Sequence, residues 1–352
     1  MTERYDFEIR YWGTTGTIPR PLTPDDVGQK IALTLEYLRD TNQLDHYRDK
    51  QISRHEIERM IRQNVPTDRC STLGGNTSCI QIQTPNTLCI VDAGSGLRNL
   101  GAHLNRVWNA KDYKGNREAN LFITHAHMDH TLATAFAEPF FDAANSVTIW
   151  APQHVLDSLT TLFGSHSSLR QTYFPIDFEQ LKGVKQLRPL SVDQTVQLED
   201  LKVQTCTLNH PGGCVGYRFE RGSTSVVFAS DHEQTETPDP TLIDFAENAS
   251  LLYADAQYRQ AEYEGEEGVS GESAMSRRGW GHSTIESSVQ SAVEAGVRRL
   301  HLGHHDPQRT DQDLVEIETM AVKLAQNLLV DKGRSPDDCR IEVAKEGMCL
   351  QI

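Results

Sequence analysis

The sequence predicts an α/β layered sandwich, and three observations lead to it. Short β-rich runs, "TSCIQIQTP", "TLCIVDAG", "ANLFITHAH", "SVTIWAP", "TSVVFASD" and "SLLYADAQ", recur between turn residues and helical stretches. Towards the C-terminus amphipathic helices alternate with further strands, a pattern that lays helices outside sheets. Several of the strands also run directly into a histidine or an aspartate.

Taken in order, the segment between Ile18 and Cys70 interrupts the strands and reads as two helices. Thr23-Pro24-Asp25-Asp26 has a capping residue followed by proline at the first helical position, and Ser53-x-x-Glu56 is a capping box. Val27, Ile31, Leu35 and Leu38 form one apolar stripe, and Ile57, Met60 and Ile61 another. Such stripes ordinarily pack on the body; the alternative is a lid or a dimer surface near the active site. Strands dominate from there to about residue 255. Ser283 to Ala295 then places Ile285, Val289, Ala292 and Val293 on one helical face, with Gly296 at the C-cap position. "VRRLHLGH" follows as a strand, Leu314 to Leu329 as a helix and "RIEVAK" as the last strand. The acidic run "EYEGEEGVSGE" predicts a solvated, mobile loop, placed where it could gate whatever "GWGHST" does.

Composition narrows the partners. A chain of 352 residues can bury a sizeable core. With 34 Lys+Arg against 49 Asp+Glu, the net charge of -15 opposes a broad grip on a phosphate backbone, so large nucleic acid is a poor partner. No stretch approaches the roughly 20 apolar residues of a membrane-spanning helix, and "MTERYDFEIRYWG" lacks a signal-peptide pattern. Seven cysteines without a C-x-x-C pair indicate neither a disulfide framework nor a zinc ribbon, which fits a reducing cytoplasm.

The chemistry concentrates in "FITHAHMDHT". An extended stretch delivers His125 and His127, whose side chains, two residues apart, point the same way and can share one ion. Asp129 and His130 follow where a loop turns into a helix, placed to face a second ion. A single histidine is ordinarily a surface or core residue, but H-x-H-x-D-H is a poor accident. Two ions need further ligands, and His210, Asp231 and His304 each close an apolar strand, where open sheets place their sites.

At this point the chain resembles the metallo-β-lactamase fold family, and within it the ribonuclease Z-like and cyclic-nucleotide phosphodiesterase branch that includes anti-Pycsar-type enzymes. The resemblance rests on "WGTTGTIPRP", "LGGNTSCIQI", "IVDAGSGLRNLG", "THAHMDH", "NHPGGCVGYRFE", "FASDHE", "LLYADAQY" and "GWGHSTIESSVQSAVEAGVRRLHLGHHDP". It implies an αββα sandwich as a single domain over residues 1–352, with a helical insertion at 18–69. It further implies two divalent ions, zinc by default with manganese or iron as alternatives. His125, His127 and His210 would bind the first ion, Asp129, His130 and His304 the second, and Asp231 would bridge them. His304 is taken over His305 from the family's strand-end "L-x-H"; His305 and His232 become supporting or surface groups, and Asp92 orients the metal loop.

The resemblance also implies a reaction: attack on phosphorus by a metal-bridging hydroxide, with His282 of "GHST" as general acid paired to Asp255 of "LLYADAQY", and Asp129 counted among the catalytic residues. A plain helix-start histidine beside Ser283 is the competing reading of His282. The fold alone does not choose the substrate. His127 stands where oxygen-reducing diiron relatives resemble H-x-E-x-D, which argues against redox chemistry. The "DAQY…GHST" pair argues for phosphodiesters over lactams and thioesters. With no basic arm for transfer RNA, a small phosphodiester remains, a 3',5'-cyclic nucleotide being the most economical, acted on by a homodimer. The alternatives are a lactone or sulfate-ester hydrolase on the same two ions, ribonuclease Z-like RNA processing, and a catalytically silent metal sensor.

Overall fold

The structure is a computed structural model and describes residues 5–45, 51–165 and 175–352. Its strands form two seven-stranded mixed sheets with helices on both outer faces. The first sheet runs β14 (Cys349–Gln351), β1 (Glu8–Gly13), β2 (Cys79–Gln83), β3 (Leu88–Val91), β4 (Glu118–Phe122), β5 (Ser146–Pro152), β6 (Val184–Leu190). The second runs β13 (Arg340–Val343), β12 (Arg299–Gly303), β11 (Leu251–Asp255), β10 (Thr224–Ala229), β9 (Cys214–Arg221), β8 (Leu201–Leu208), β7 (Thr195–Leu198). In each, one half is antiparallel and the other, β3 to β6 or β10 to β13, is parallel.

Period-two alternation explains the layers. In β3, Cys89 and Val91 face the other sheet while Leu88 and Ile90 face helices; in β11, Leu251 and Tyr253 face inward and Leu252 and Ala254 outward. Both faces are covered, so these strands read as apolar runs without visible alternation. Helices α4 (Gly96–Trp108) and α6 (Gln153–Phe163) cover the first sheet, and α7 (Pro240–Phe245), α9 (Ile285–Glu294) and α10 (Asp311–Asp331) the second. Ile285, Val289, Ala292 and Val293 are buried as their spacing predicts. The cap of α9 is Thr284, not Ser283, because the Ser283 hydroxyl is drawn instead to the His232 carbonyl.

The segment between β1 and β2 contains α1 (Pro24–Asp40), α2 (Arg54–Asn64) and the single turn α3 (Thr67–Cys70); the expected capping box forms at Ser53, and the expected cap at Thr23 closes into one as well. Its α1 stripe does not pack on the body. Leu38 is buried, whereas Val27, Ile31 and Leu35 are 46%, 57% and 52% exposed.

The acidic run is a second correction. It folds as α8 (Gln260–Glu264) and a 3-10 turn, Val269–Gly271, with Glu262, Tyr263 and Val269 buried. Glu262 neutralises the buried Arg309, and a desolvated charge that is paired and hydrogen-bonded holds its segment in place.

Candidate active site

Five strand ends of the two sheets meet along one edge. Beyond β4 the chain continues through His125 and His127 into α5 (Met128–Thr131), the turn that carries Asp129 and His130. His210 follows β8, Asp231 follows β10, Asp255 ends β11 and His304 follows β12. Asp231 and His304 both have left-handed backbone, φ 58° and 54°, which turns their side chains sharply off the strand direction. Gly303 makes this possible for His304: a Cβ there would stand 2.0 Å from the Tyr253 ring, whose hydroxyl accepts the His304 N–H at 3.0 Å.

The side chains fall into overlapping groups. Ligand atoms of His125, His127 and His210 lie within 4.8 Å of one another, as do those of Asp129, His130, Asp231 and His304. Asp231 Oδ2 is 3.2 Å from His130 Nε2, while its Oδ1 is 3.2 Å from His304 Nε2, 3.8 Å from His125 Nε2 and 3.9 Å from His210 Nε2. A third group joins Asp231 and His304 to Asp255 and His282.

The hydrogen bonds outside these groups fix which nitrogens face in. His130 Nδ1 donates to Asp92 Oδ2 at 2.7 Å, and His210 Nδ1 donates to the Gly281 carbonyl at 2.8 Å. In the neutral rings each Nε2 is then a bare lone pair. His210 Nε2 stands 3.1 Å from His127 Nδ1, His130 Nε2 stands 3.3 Å from His304 Nε2, and buried His125 Nε2 has no hydrogen-bond partner. Imidazole nitrogens and carboxylate oxygens that converge in this way suit a cation, so the residues fit divalent ions.

Electrostatics divide the cluster. Burial pushes the His125, His127 and His210 imidazoles towards their neutral forms. Burial also disfavours charge on His130 and His304, but the carboxylates of Asp231 and Asp129 outweigh it. They hold His130 well above the ordinary range and raise His304 to about 9. The reciprocal effect carries Asp129 and Asp231 well below the usual carboxylate range against their own desolvation.

Asp255 and His282 meet at the rim of this cluster. His282 Nδ1 donates to Asp255 Oδ2 at 2.9 Å, and the Ser283 and Gln257 N–H groups donate to Oδ1 at 3.1 and 3.2 Å. His305 turns away: its Nε2 donates to the Ala344 carbonyl at 3.1 Å, and burial pushes it down to about 4. His232 is buried beside the cluster, and its Nδ1 accepts the N–H of Asn209, the neighbour of His210. Asp92 accepts from Thr124 N and Oγ1 as well as from His130, so it ties the two ends of the histidine loop together.

Sequence reasoning missed Glu233 and Thr17. The Thr17 N–H donates to Asp129 Oδ2 at 2.8 Å, tying the first turn of the chain to the centre. Glu233 had a visible signal, a carboxylate two residues past Asp231, but nothing in the sequence showed what it would meet.

The sequence model of the Beta-lactamase superfamily domain matches residues 88–305, more than half of the chain. The chain belongs to the beta-lactamase superfamily. A ribonuclease Z of Staphylococcus carnosus is 25% identical to this superfamily member over 192 residues, 52% of this chain and 56% of that protein. The chain thus spans about half the length of the curated relative it matches. Zn2+-bound PqqB from Methylobacterium extorquens superposes with a TM-score of 0.62 at 12% identity, covering 98% of this chain and 100% of that one. Yeast PDE1 gives 0.58 at 12%, covering 99% and 100%. At these identities the superpositions establish the metallo-β-lactamase fold of this superfamily member.

Proposed function

We propose that this protein is a dinuclear-metal phosphodiesterase acting on a small phosphodiester, with a 3',5'-cyclic nucleotide as substrate. The observation that carries the reading is the His282–Asp255 pair beside two converging ligand groups. His125, His127 and His210 hold one divalent ion, Asp129, His130 and His304 the other, and Asp231 reaches both. Zinc suits this mixture of imidazole and carboxylate, which also accepts manganese or iron. When bound, such ions activate a water and offset negative charge developing on phosphorus.

The chain's own residues do the rest. Asp92 and the Gly281 carbonyl orient His130 and His210, so their Nε2 atoms face inward. Asp129, held by the Thr17 N–H, keeps its carboxylate in the cluster. Asp255 occupies one nitrogen of His282 and stabilises the imidazolium, which leaves the other nitrogen to give a proton to the departing oxygen.

Phosphodiester chemistry agrees with the ribonuclease Z relative, and the net charge of -15 favours a small substrate over long RNA. Among the described residues no helix is long and apolar enough to cross a membrane. All seven cysteines are free thiols, which supports a cytoplasmic setting. The uncovered α1 stripe supports a homodimer: in an antiparallel pair Val27 of one copy meets Leu35 of the other, and each covers apolar surface that a monomer leaves exposed.

The test is the purified, metal-loaded protein assayed against 3',5'-cyclic nucleotides, bis(p-nitrophenyl) phosphate, a lactone and a sulfate ester. Hydrolysis of the phosphodiesters with cyclic nucleotides preferred is expected. Turnover of the lactone or the sulfate ester alone would move the same centre to those reactions.

A further inference from the structure

Buried Glu233 faces the loop that carries His282. Its Oε1 accepts the Gly279 N–H at 2.7 Å and the Tyr263 hydroxyl at 2.6 Å, and its Oε2 accepts the Gly281 N–H at 2.8 Å. Gly279 and Gly281 have φ of 80° and 90°, backbone that other residues adopt only under strain. A Cβ on Gly281 would stand 2.2 Å from His210 Nδ1, so the loop also lies tight against a proposed metal ligand. A buried carboxylate therefore fixes the backbone on both sides of one residue, Trp280.

Trp280 is not part of the core. It is 48% exposed, although an indole gains more from burial than almost any other side chain. The Arg277 guanidinium covers its ring at 4.7 Å from the centroid, and Arg277 is itself buried and paired to Glu272 at 2.8 Å. The same guanidinium lies 5.8 Å from the Tyr258 ring, which is 6.2 Å from the ring of His282. The indole is thus held rigidly, backed by a cation and set two residues before the acid histidine, with much of its surface open. A cation–π contact alone would not require the carboxylate clamp or the two left-handed glycines.

We infer that Trp280 is a stacking platform for the nucleobase of the substrate, so that the centre selects phosphodiesters that carry a planar aromatic base next to the scissile phosphate. The inference rests on the phosphodiesterase reading and adds the group that reads the substrate. An exposed, preorganised ring accepts any base face, which makes the selection one for nucleotides over other phosphodiesters rather than for one base.

The experiment compares binding of adenosine 5'-monophosphate and ribose 5-phosphate to the metal-loaded protein by calorimetry. The two share the phosphate and the sugar and differ by the base. The wild type should prefer the nucleotide by roughly 5- to 150-fold, the usual worth of stacking one base. Trp280→Ala and Trp280→Leu should lose that preference, and Trp280→Phe should keep most of it. Two non-aromatic variants are used so that a folding defect in one, checked by near-ultraviolet circular dichroism, leaves the other decisive. Equal affinity in the wild type, or a preference that survives in folded Trp280→Ala or Trp280→Leu, overturns the inference. If cyclic nucleotides are hydrolysed while binding is blind to the base, the platform falls and the phosphodiesterase reading stands. If no phosphodiester is hydrolysed and neither phosphate binds, both fall.

Discussion

His282 Nδ1 donates to Asp255 Oδ2 across 2.9 Å, and the second oxygen of Asp255 is already taken by two backbone N–H groups. The carboxylate is therefore locked in orientation, and it locks the imidazole. Only the far nitrogen of His282 remains free for proton transfer, at the rim of the proposed dimetal centre.

The bridging assignment makes Asp231 indispensable to both ions. Asp231→Ala should lose both metals or bind them far more weakly, as measured by elemental analysis after dialysis. Full occupancy of two ions in this variant would contradict the assignment.

Asp92 contributes through His130 rather than by touching an ion. Asp92→Asn keeps the shape but removes the charge that orients and polarises the imidazole, and should weaken metal affinity by about 10–100-fold. Competition with a chromogenic chelator reads this directly. Unchanged affinity would mean that the His130 orientation is set elsewhere.

These two residues also show where the sequence was legible. Strand ends carrying His or Asp could be read because parallel strands with both faces covered are uninterrupted apolar runs, so a polar residue at their end stands out. His304 and His305 could not be separated by spacing; the left-handed turn at His304, allowed by Gly303 under Tyr253, separates them in space. β6 and β7 were harder to see, since they are largely exposed and carry little hydrophobic signal. The acidic run misled because charge was read as solvation, whereas the partner of Glu262 is Arg309, 47 residues away. No local pattern reports such a pair, and the same holds for Glu233 and the glycines it clamps.

Acid stability should depend on Asp239. Burial opposes its ionisation, but the His232 ring 3.2 Å away and the N–H groups of Thr235 and Leu242 hold its carboxyl well below the usual range. A depressed carboxylate stabilises the fold above its unfolded pKa of about 3.9, and that contribution drains away as pH falls below it. Asp239→Asn should therefore melt lower than the wild type at pH 7, and the gap should narrow by pH 3. A gap that is constant or widens on acidification would contradict this.

The α1 stripe predicts a dimer. The wild type should scatter light as a dimer at micromolar concentration, and Ile31→Asp, which places a charge where two copies of the helix cross, should scatter as a folded monomer. A monomeric wild type would leave the stripe without this partner.

The most direct test of the account is the leaving-group dependence of His282→Ala. This variant should retain both metals yet lose about 10²–10⁴-fold in kcat on a cyclic nucleotide, whose alkoxide must be protonated to leave. On bis(p-nitrophenyl) phosphate, whose phenolate leaves without help, it should recover most of its rate, whereas His127→Ala should be impaired on both. Equal losses of His282→Ala on the two substrates, or loss of a metal ion from it, would contradict the account and make His282 a phosphate-positioning or metal-binding residue.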